Sequence, residues 1–451
     1  MKIIIVGCGK VGYTLAETLS NEGHAVAAID NNDDAISRLS ALDVSAVKGN
    51  GSSYRTLLDA GVKDCDILIA VTNRDEVNLL CCLIAKKAGN CRTVARVRNP
   101  EYYQEIDFIK DELGLALAIN PELAAANYIY HLIRCPSAIE LNTFAKGRVH
   151  MPTLVIPEHS SWDGKNLIQL SGECPFPLLV AIVESQDKVI IPDGRTVLHQ
   201  GDCISFIVPS EHMGDTFRRV GIQARPIRHV MIIGGGTVAY YLARRLIQSR
   251  IHVTIIESRR ERCEELSELL PKASIIFGNA SNEQLLLEEG IENTDAVVSL
   301  TNFDEENIML ALYANQVNPH AKLITKVNKA NFNSVINQIP VGSVISPMHL
   351  TAETILHYAR ALRPSPDSDV EAVHMLADNQ VEALAFRLKE QSIVTNQTLS
   401  SMRIRKGVLI GIIIRNKQII VPAGQDCLMP GDFVIVVTTL KGIDSIDKIL
   451  E

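Results

Sequence analysis

The stretch KIIIVGCGKVG (2–12) decides how this chain is read. An apolar run rich in isoleucine passes without a break into glycines at 7, 9 and 12, and an amphipathic stretch, TLAETLSNEG, follows. Strand, glycine turn and helix in that order present free backbone N–H groups and a positive helix end to a pyrophosphate. Gly7 permits the tight turn, Gly9 lets the backbone approach phosphate, and Gly12 lets the helix lie close on the sheet, with Cys8, Lys10 and Val11 completing the loop. A bare GxGxxG is a weak signal, because such glycines also serve close packing; the flanking strand and helix are what give it weight. Further along, Asp30 ends the next strand-like run, where a carboxylate accepts ribose hydroxyls and repels a 2′-phosphate, so NAD is preferred to NADP. ATP or ADP stays open, since a ribose and a phosphate chain are common to all of them. Thr72 and Asn73 close the fourth strand and line the same crevice, and Arg98 in ARVRNPEY offers phosphate a fork of donors.

The same text returns later in the chain. KIIIVGCGKVG matches HVMIIGGGTVA (229–239), which puts Gly7 and Gly9 on Gly234 and Gly236, with Gly235, Thr237 and Val238 at the intervening and following positions. Asp30 falls on Glu257, GNGSS (49–53) on GNASN (278–282), LIAVTNRDEVN (68–78) on VVSLTNFDEEN (297–307), and Pro121 on Pro347. The β-rich remainder repeats too, VIIPDGRTVLHQGDCISFIV (189–208) on IIVPAGQDCLMPGDFVIVV (419–437). Matched segments in unbroken order mean a tandem duplication. In each half, strand-like runs alternate with amphipathic stretches, which predicts βαβ units on a parallel sheet. The expected fold class is α/β: two Rossmann-like domains, 1–123 and 226–350, each followed by a small α+β domain, 140–225 and 368–451, with the proline- and aspartate-rich RPSPDSD (363–369) at the last boundary.

The copies differ where it matters for ligand choice. Ala239 stands at the position of Gly12, a change the fingerprint tolerates, and Glu257 supplies the ribose acid. At the Arg98 position the second copy has Asn328, so its pocket lacks that cation and is expected to hold its ligand more weakly or to prefer another.

Bulk properties set outer limits. A chain of 451 residues exceeds one hydrophobic core, and 47% apolar with 21% charged residues describes a folded globular protein. Net charge −8, from 52 acids against 44 bases with no long basic block, argues against nucleic acid as a partner. No apolar run approaches the about 20 residues that span a bilayer, and the start runs into a nucleotide loop instead of a cleavage site, so a cytoplasmic location is expected. Ten scattered cysteines without CxxC or Cys/His clusters read as apolar fillers rather than disulfides or a metal site.

A dehydrogenase also needs a proton donor beside the nicotinamide. No His or Lys recurs at matched positions of the two small domains, and His131 and His357, which do match, lie in apolar helical stretches and read as packed residues. A non-enzymatic binding protein is therefore expected, with no catalytic residues; a soluble NAD-dependent oxidoreductase is the alternative, and a nucleotide-sensing repressor fails for want of a basic helix-turn-helix.

VGCGKVG, Asp30, GNGSS, VTNRDEVN and ARVRNPEY, followed by a Pro/Gly-Asp β module, together resemble the RCK (regulator of potassium conductance) family, in its tandem TrkA-N plus TrkA-C form. The resemblance runs over nearly the whole chain; it departs in GNG, where the family more often has GDA, and in the missing second arginine. It implies a regulatory subunit that binds NAD(H) or ATP/ADP and gates an integral-membrane potassium transporter subunit of TrkH/TrkG type. It further implies a homo-oligomeric ring, a tetramer being favoured, held peripherally on the inner face of the cell's inner membrane. Apolar faces on 121–135 (Leu123, Ile129, Leu132, Ile133) and 347–362 (Leu350, Ile355, Leu356) either cross to a neighbouring unit or fill their own domain's core.

Overall fold

A computed structural model describes residues 1–144, 149–185, 188–222, 226–328, 339–361, 370–377, 380–390, 392–416, 418–440, 443 and 445–451. The expected linker at 363–369 lies outside the described residues.

The opening residues form β1 (Lys2–Val6), followed by β2 (Ala25–Asp30), β3 (Ser45–Lys48), β4 (Ile67–Ala70), β5 (Arg92–Arg96) and β6 (Leu117–Ile119). These make one sheet in the order β3-β2-β1-β4-β5-β6, and every neighbour pair is parallel. Ile3, Ile4 and Ile5 of β1 and all of β4 are buried, because helices cover both faces of a parallel sheet. The strand order reverses between β1 and β4, and that switch point is where open α/β sheets hold ligands.

The next five strands are β7 (Glu140–Phe144), β8 (Val149–Val155), β9 (Leu179–Ser185), β10 (Lys188–Ile190) and β11 (Cys203–Pro209), an antiparallel sheet in the order β10-β9-β11-β8-β7. The pattern then repeats. Strands β12 (His229–Ile233), β13 (His252–Glu257), β14 (Ser274–Phe277), β15 (Ala296–Ser299), β16 (Lys322–Lys326) and β17 (Ser343–Ile345) form a second parallel sheet, β14-β13-β12-β15-β16-β17. Strands β18 (Val370–Leu376), β19 (Val381–Arg387), β20 (Val408–Arg415), β21 (Gln418–Ile420) and β22 (Phe433–Thr438) form a second antiparallel sheet, β18-β19-β22-β20-β21. Read in matched order, the two antiparallel sheets have one topology. Even their irregularities coincide: the β9–β11 ladder skips Ala181 and the β20–β22 ladder skips Gly411.

The halves do not fold as separate bodies. Residues 1–130 and 228–359, the two parallel-sheet domains, make one compact unit, and 131–227 with 360–451, the two antiparallel sheets, make another. In the second unit Phe144, Met151, Ile182 and Ile207 of one copy share a core with Val381, Ala383, Ile412 and Ile435 of the other. In the first unit the helix Pro121–Arg134 meets the helix Thr237–Gln248. There Asn120 Nδ2 donates to Tyr241 Oη (3.2 Å), Tyr130 Oη bonds Ser249 Oγ (2.8 Å), and Arg245 bonds Asn127 while lying 4.2 Å over the Tyr130 ring. The helix 121–134 thus reaches the second copy through polar groups, while on the same helix Ala125, Ala126, Ile129, Leu132 and Ile133 are buried and Leu123 only partly so.

Candidate functional site

Each glycine loop lies at the carboxyl end of the first strand of its sheet. Gly7 has φ +96°, and a Cβ there would lie 2.7 Å from the Thr72 backbone nitrogen; Gly234, φ +100°, meets the Leu300 and Thr301 backbone in the same way. Only glycine combines that left-handed conformation with so close an approach. A Cβ on Gly12 would sit 1.8 Å from the Gly7 carbonyl, which seats the helix Lys10–Asn21 hard against the loop. Ala239 occupies the matched place and is fully buried, so the second loop has room for a methyl group. Gly9 and Gly236, by contrast, face open space.

Those two glycines are N-caps, and neither helix has a side-chain cap or an acidic residue in its first turn. Unsatisfied N–H groups and a positive helix end are thus left at Lys10–Val11 and Thr237–Val238, the arrangement that takes a phosphate. Cys8 fills the interior between the glycines. Its buried thiol, close to Asp30, is pushed up to about 12, so it stays protonated and a poor nucleophile near neutral pH.

The ribose acids are already holding the loops. Asp30 Oδ2 accepts from Cys8 N–H (2.6 Å) and Oδ1 from Asn32 N–H (2.9 Å). Glu257 Oε2 accepts from Gly235 N–H (2.9 Å) and Oε1 from Arg259 N–H (2.8 Å). A carboxylate has about four lone-pair sites, so each acid retains capacity for a ribose hydroxyl. Around the second loop, Arg262 Nε donates to the Gly235 carbonyl (2.7 Å) and Arg259 Nε approaches Glu257 (3.4 Å). The matched stretch of the first copy is acidic, with Asp33 and Asp34 in the helix that Asn32 caps. The second crevice lacks a cation at Asn328 but has others at its ribose end. ESRRER (257–262) carries that signal in the sequence.

Thr72 backs the loop; its N–H and hydroxyl both donate to Asn78 Oδ1 (2.8 and 2.7 Å). Asn73 is exposed at the strand end. The fully buried Asn78 returns two donors, to Thr72 O and Arg96 O, and Asn307 does the same for Thr301 and Lys326. Asp75 Oδ2 accepts from the N–H groups of Arg98 and Asn99, both at 2.7 Å, and Asp304 accepts from Asn328 Nδ2 (3.2 Å). These acids and amides, recurring in VTNRDEVN and LTNFDEEN, hold the crevice floor together. They were legible in the repeat only as unexplained matches.

Arg98 is not free. Its Nε donates to Glu122 Oε1 at 2.6 Å, with the arginine about half exposed. Arg96 and Lys326, at matched positions, donate to the Thr72 and Leu300 carbonyls, and burial lowers the pKa of both. Of the matched histidines, His131 is half-buried on its helix, and only the helical position of His357 is described.

Comparison with known proteins rests on the same segments. The TrkA-N domain family matches residues 3–121 and 230–347, and the TrkA-C domain family matches 383–451. The chain belongs to the TrkA family. The Trk system potassium uptake protein TrkA homolog of Archaeoglobus fulgidus is 33% identical, covering 100% of both chains. The Trk system potassium uptake protein TrkA of Haemophilus influenzae is 31% identical over 100% of this chain and 99% of its own. Among solved structures, the GsuK channel bound to NAD aligns with 99% of this chain and 78% of its own, with TM-score 0.63 and 17% identity. The GsuK RCK domain aligns with 97% and 92%, again with TM-score 0.63 and 17% identity. The fold of this TrkA-family chain is thus the RCK fold, α/β with paired Rossmann-like domains, and no helix among the described residues is long and apolar enough to cross a membrane.

Proposed function

We propose that this TrkA-family chain is a nucleotide-binding regulatory subunit of a Trk-type potassium uptake system, with NAD(H) and ATP/ADP as its ligands. Its full-length relatives bear the name of that system, and the GsuK neighbours include a channel bound to NAD and one bound to ADP. The observation that carries the reading is the pair of uncapped helix N-termini, each beside an open glycine and a ribose-end carboxylate. Gly7–Gly12 and Gly234–Val238 hold the phosphates, Asp30 and Glu257 the riboses, Thr72 and Asn73 the crevice wall, and Arg98 a terminal phosphate of the first ligand. The protein works without chemistry of its own. Ligand binding biases the packing of the two parallel-sheet domains, and a ring of such chains, peripheral on the inner face of the membrane, passes that bias to a TrkH/TrkG-like transporter. A ligand shifts such an equilibrium only by its differential affinity for the two arrangements, about 1–3 kcal/mol in typical cases.

Equilibrium titration of the full chain with NADH, NAD, ATP and ADP tests the reading. Micromolar binding without turnover is expected, and binding of none of the four would overturn it, as would steady hydride transfer to a substrate. Arg98→Ala is expected to weaken ATP and ADP at the first site while Asn328→Ala barely changes the second, because only the arginine makes charge-assisted phosphate bonds. These titrations are run at fixed salt, since phosphate contacts are screened.

A further inference from the structure

The two parallel sheets differ at the amino ends of their strands, away from the crevices. In the first sheet Lys2 of β1 lies beside Ala25 of β2; in the second, the matched strand starts carry His229 of β12 beside His252 of β13. Their imidazoles stack, with ring centroids 5.2 Å apart and planes inclined by 13°. Both residues are exposed, so neither ring fills a core, and with Thr254, Glu289, Asn293 and Thr294 they line a cavity of about 270 Å³. Asp295 Oδ2 lies 3.6 Å from His229 Nδ1. A carboxylate on that side keeps the ring proton on Nδ1 and leaves the lone pair on Nε2. Asp295 itself belongs to the scaffold: it accepts from the N–H groups of Arg228 and His229 (2.7 and 2.9 Å), as Asp66 accepts from Lys2 N–H (2.7 Å) in the first copy. What the second copy adds on that common frame is the pair of imidazoles.

We propose that His229 and His252 form a two-nitrogen chelate for a divalent transition-metal ion of the kind that prefers imidazole, Zn²⁺, Ni²⁺ or Cu²⁺. Bonds of about 2.0–2.1 Å from two ring nitrogens to one ion are reached by rotation of two exposed side chains, with no movement of the strands. Among the described residues no group of three histidines, cysteines or carboxylates is set to hold a metal, so water completes the shell, and the hydroxyl, amide and carboxylate groups of the cavity wall take hydrogen bonds from it. The site is separate from the nucleotide crevices and does not depend on the nucleotide reading. It has a place in the same architecture all the same: β12 runs from His229 to the Gly234 loop and β13 from His252 to Glu257, so the ion sits at the opposite ends of the two strands that frame the second crevice.

The metal-free full chain is titrated calorimetrically with ZnCl₂ and with NiCl₂ in a buffer that does not chelate, beside the double variant His229→Lys/His252→Ala, which gives the second sheet the residues of the first. Thermal melts check that both are folded; His252→Ala alone gives the same comparison should the double variant prove unfolded. Micromolar binding of one equivalent per chain is expected in the parent, weakened at least about ten-fold in either variant. That equivalent should weaken from pH 7.5 to pH 5.5, because protons compete for the ring nitrogens, and should persist in excess Mg²⁺, which takes oxygen ligands. Equal stoichiometry and affinity in parent and variants overturn the proposal, as does binding that Mg²⁺ displaces or that is indifferent to pH.

Discussion

At the scale of single residues, the acids beside the glycine loops do two jobs. Asp30 fixes the loop through Cys8 N–H and keeps lone pairs for a ribose, so Asp30→Ala removes both. A dinucleotide depends on the whole crevice while a triphosphate can lean on Arg98, so NAD(H) is expected to lose about 1.5–3 kcal/mol of affinity and ATP less. Parallel titrations read the difference, and equal losses contradict it. His150 gives a second residue-scale expectation. It is buried on β8 with Nδ1 unpartnered, and burial lowers its pKa below the ordinary value of about 6.5. Above that value both folded and unfolded states are neutral there and stability is flat. As pH falls through it, only the unfolded chain takes the proton, so stability drops until the lower folded-state value is reached. Denaturant midpoints at pH 7.5 and 5.5 should therefore differ less in His150→Gln than in the parent chain.

At the scale of elements, the helix Pro121–Arg134 does what its periodicity left open. Its sequence has an apolar face but cannot say whose core that face enters, since alanines and leucines fit either. What directs it to the seam is polar: Asn120, Asn127 and Tyr130 find Tyr241, Arg245 and Ser249 more than a hundred residues away. Arg245→Ala removes a hydrogen bond and a cation–ring contact at once, worth about 1–3 kcal/mol together. A thermal midpoint lowered by several degrees is expected, and a midpoint within error of the parent's would show that the seam does not depend on this residue. The glycine loops were legible in full, because strand, turn and helix are local. The Arg98–Glu122 pair was not, because its partners lie 24 residues apart on different elements.

At the scale of the whole molecule, the duplication is an assembly rule as well as a repeat. Each half contributes one parallel sheet to one unit and one antiparallel sheet to the other, and the antiparallel pair shares a buried core. Fragments 1–225 and 226–451 made separately would expose Met151, Ile182 and Ile207, or Val381, Ile412 and Ile435, to water. Apolar surface of that extent drives association. Each fragment alone is therefore expected to self-associate, and the two mixed to recover a one-to-one complex by size-exclusion chromatography with light scattering. Monomeric, well-folded separate fragments would contradict the shared core.

Periodicity, glycine spacing and the internal match determined by themselves the two βαβ sheets, the two glycine loops with Asp30 and Glu257, and the inequivalence of Arg98 and Asn328. Each of these is set by neighbours along the chain or by comparison of the chain with itself. Only the tertiary structure decided that like pairs with like across the halves, and that Glu122 already occupies Arg98. The reason is physical: hydrophobic pattern states that a face must be buried, while the partner it is buried against, and the charges brought together by that burial, depend on contacts between residues far apart in sequence.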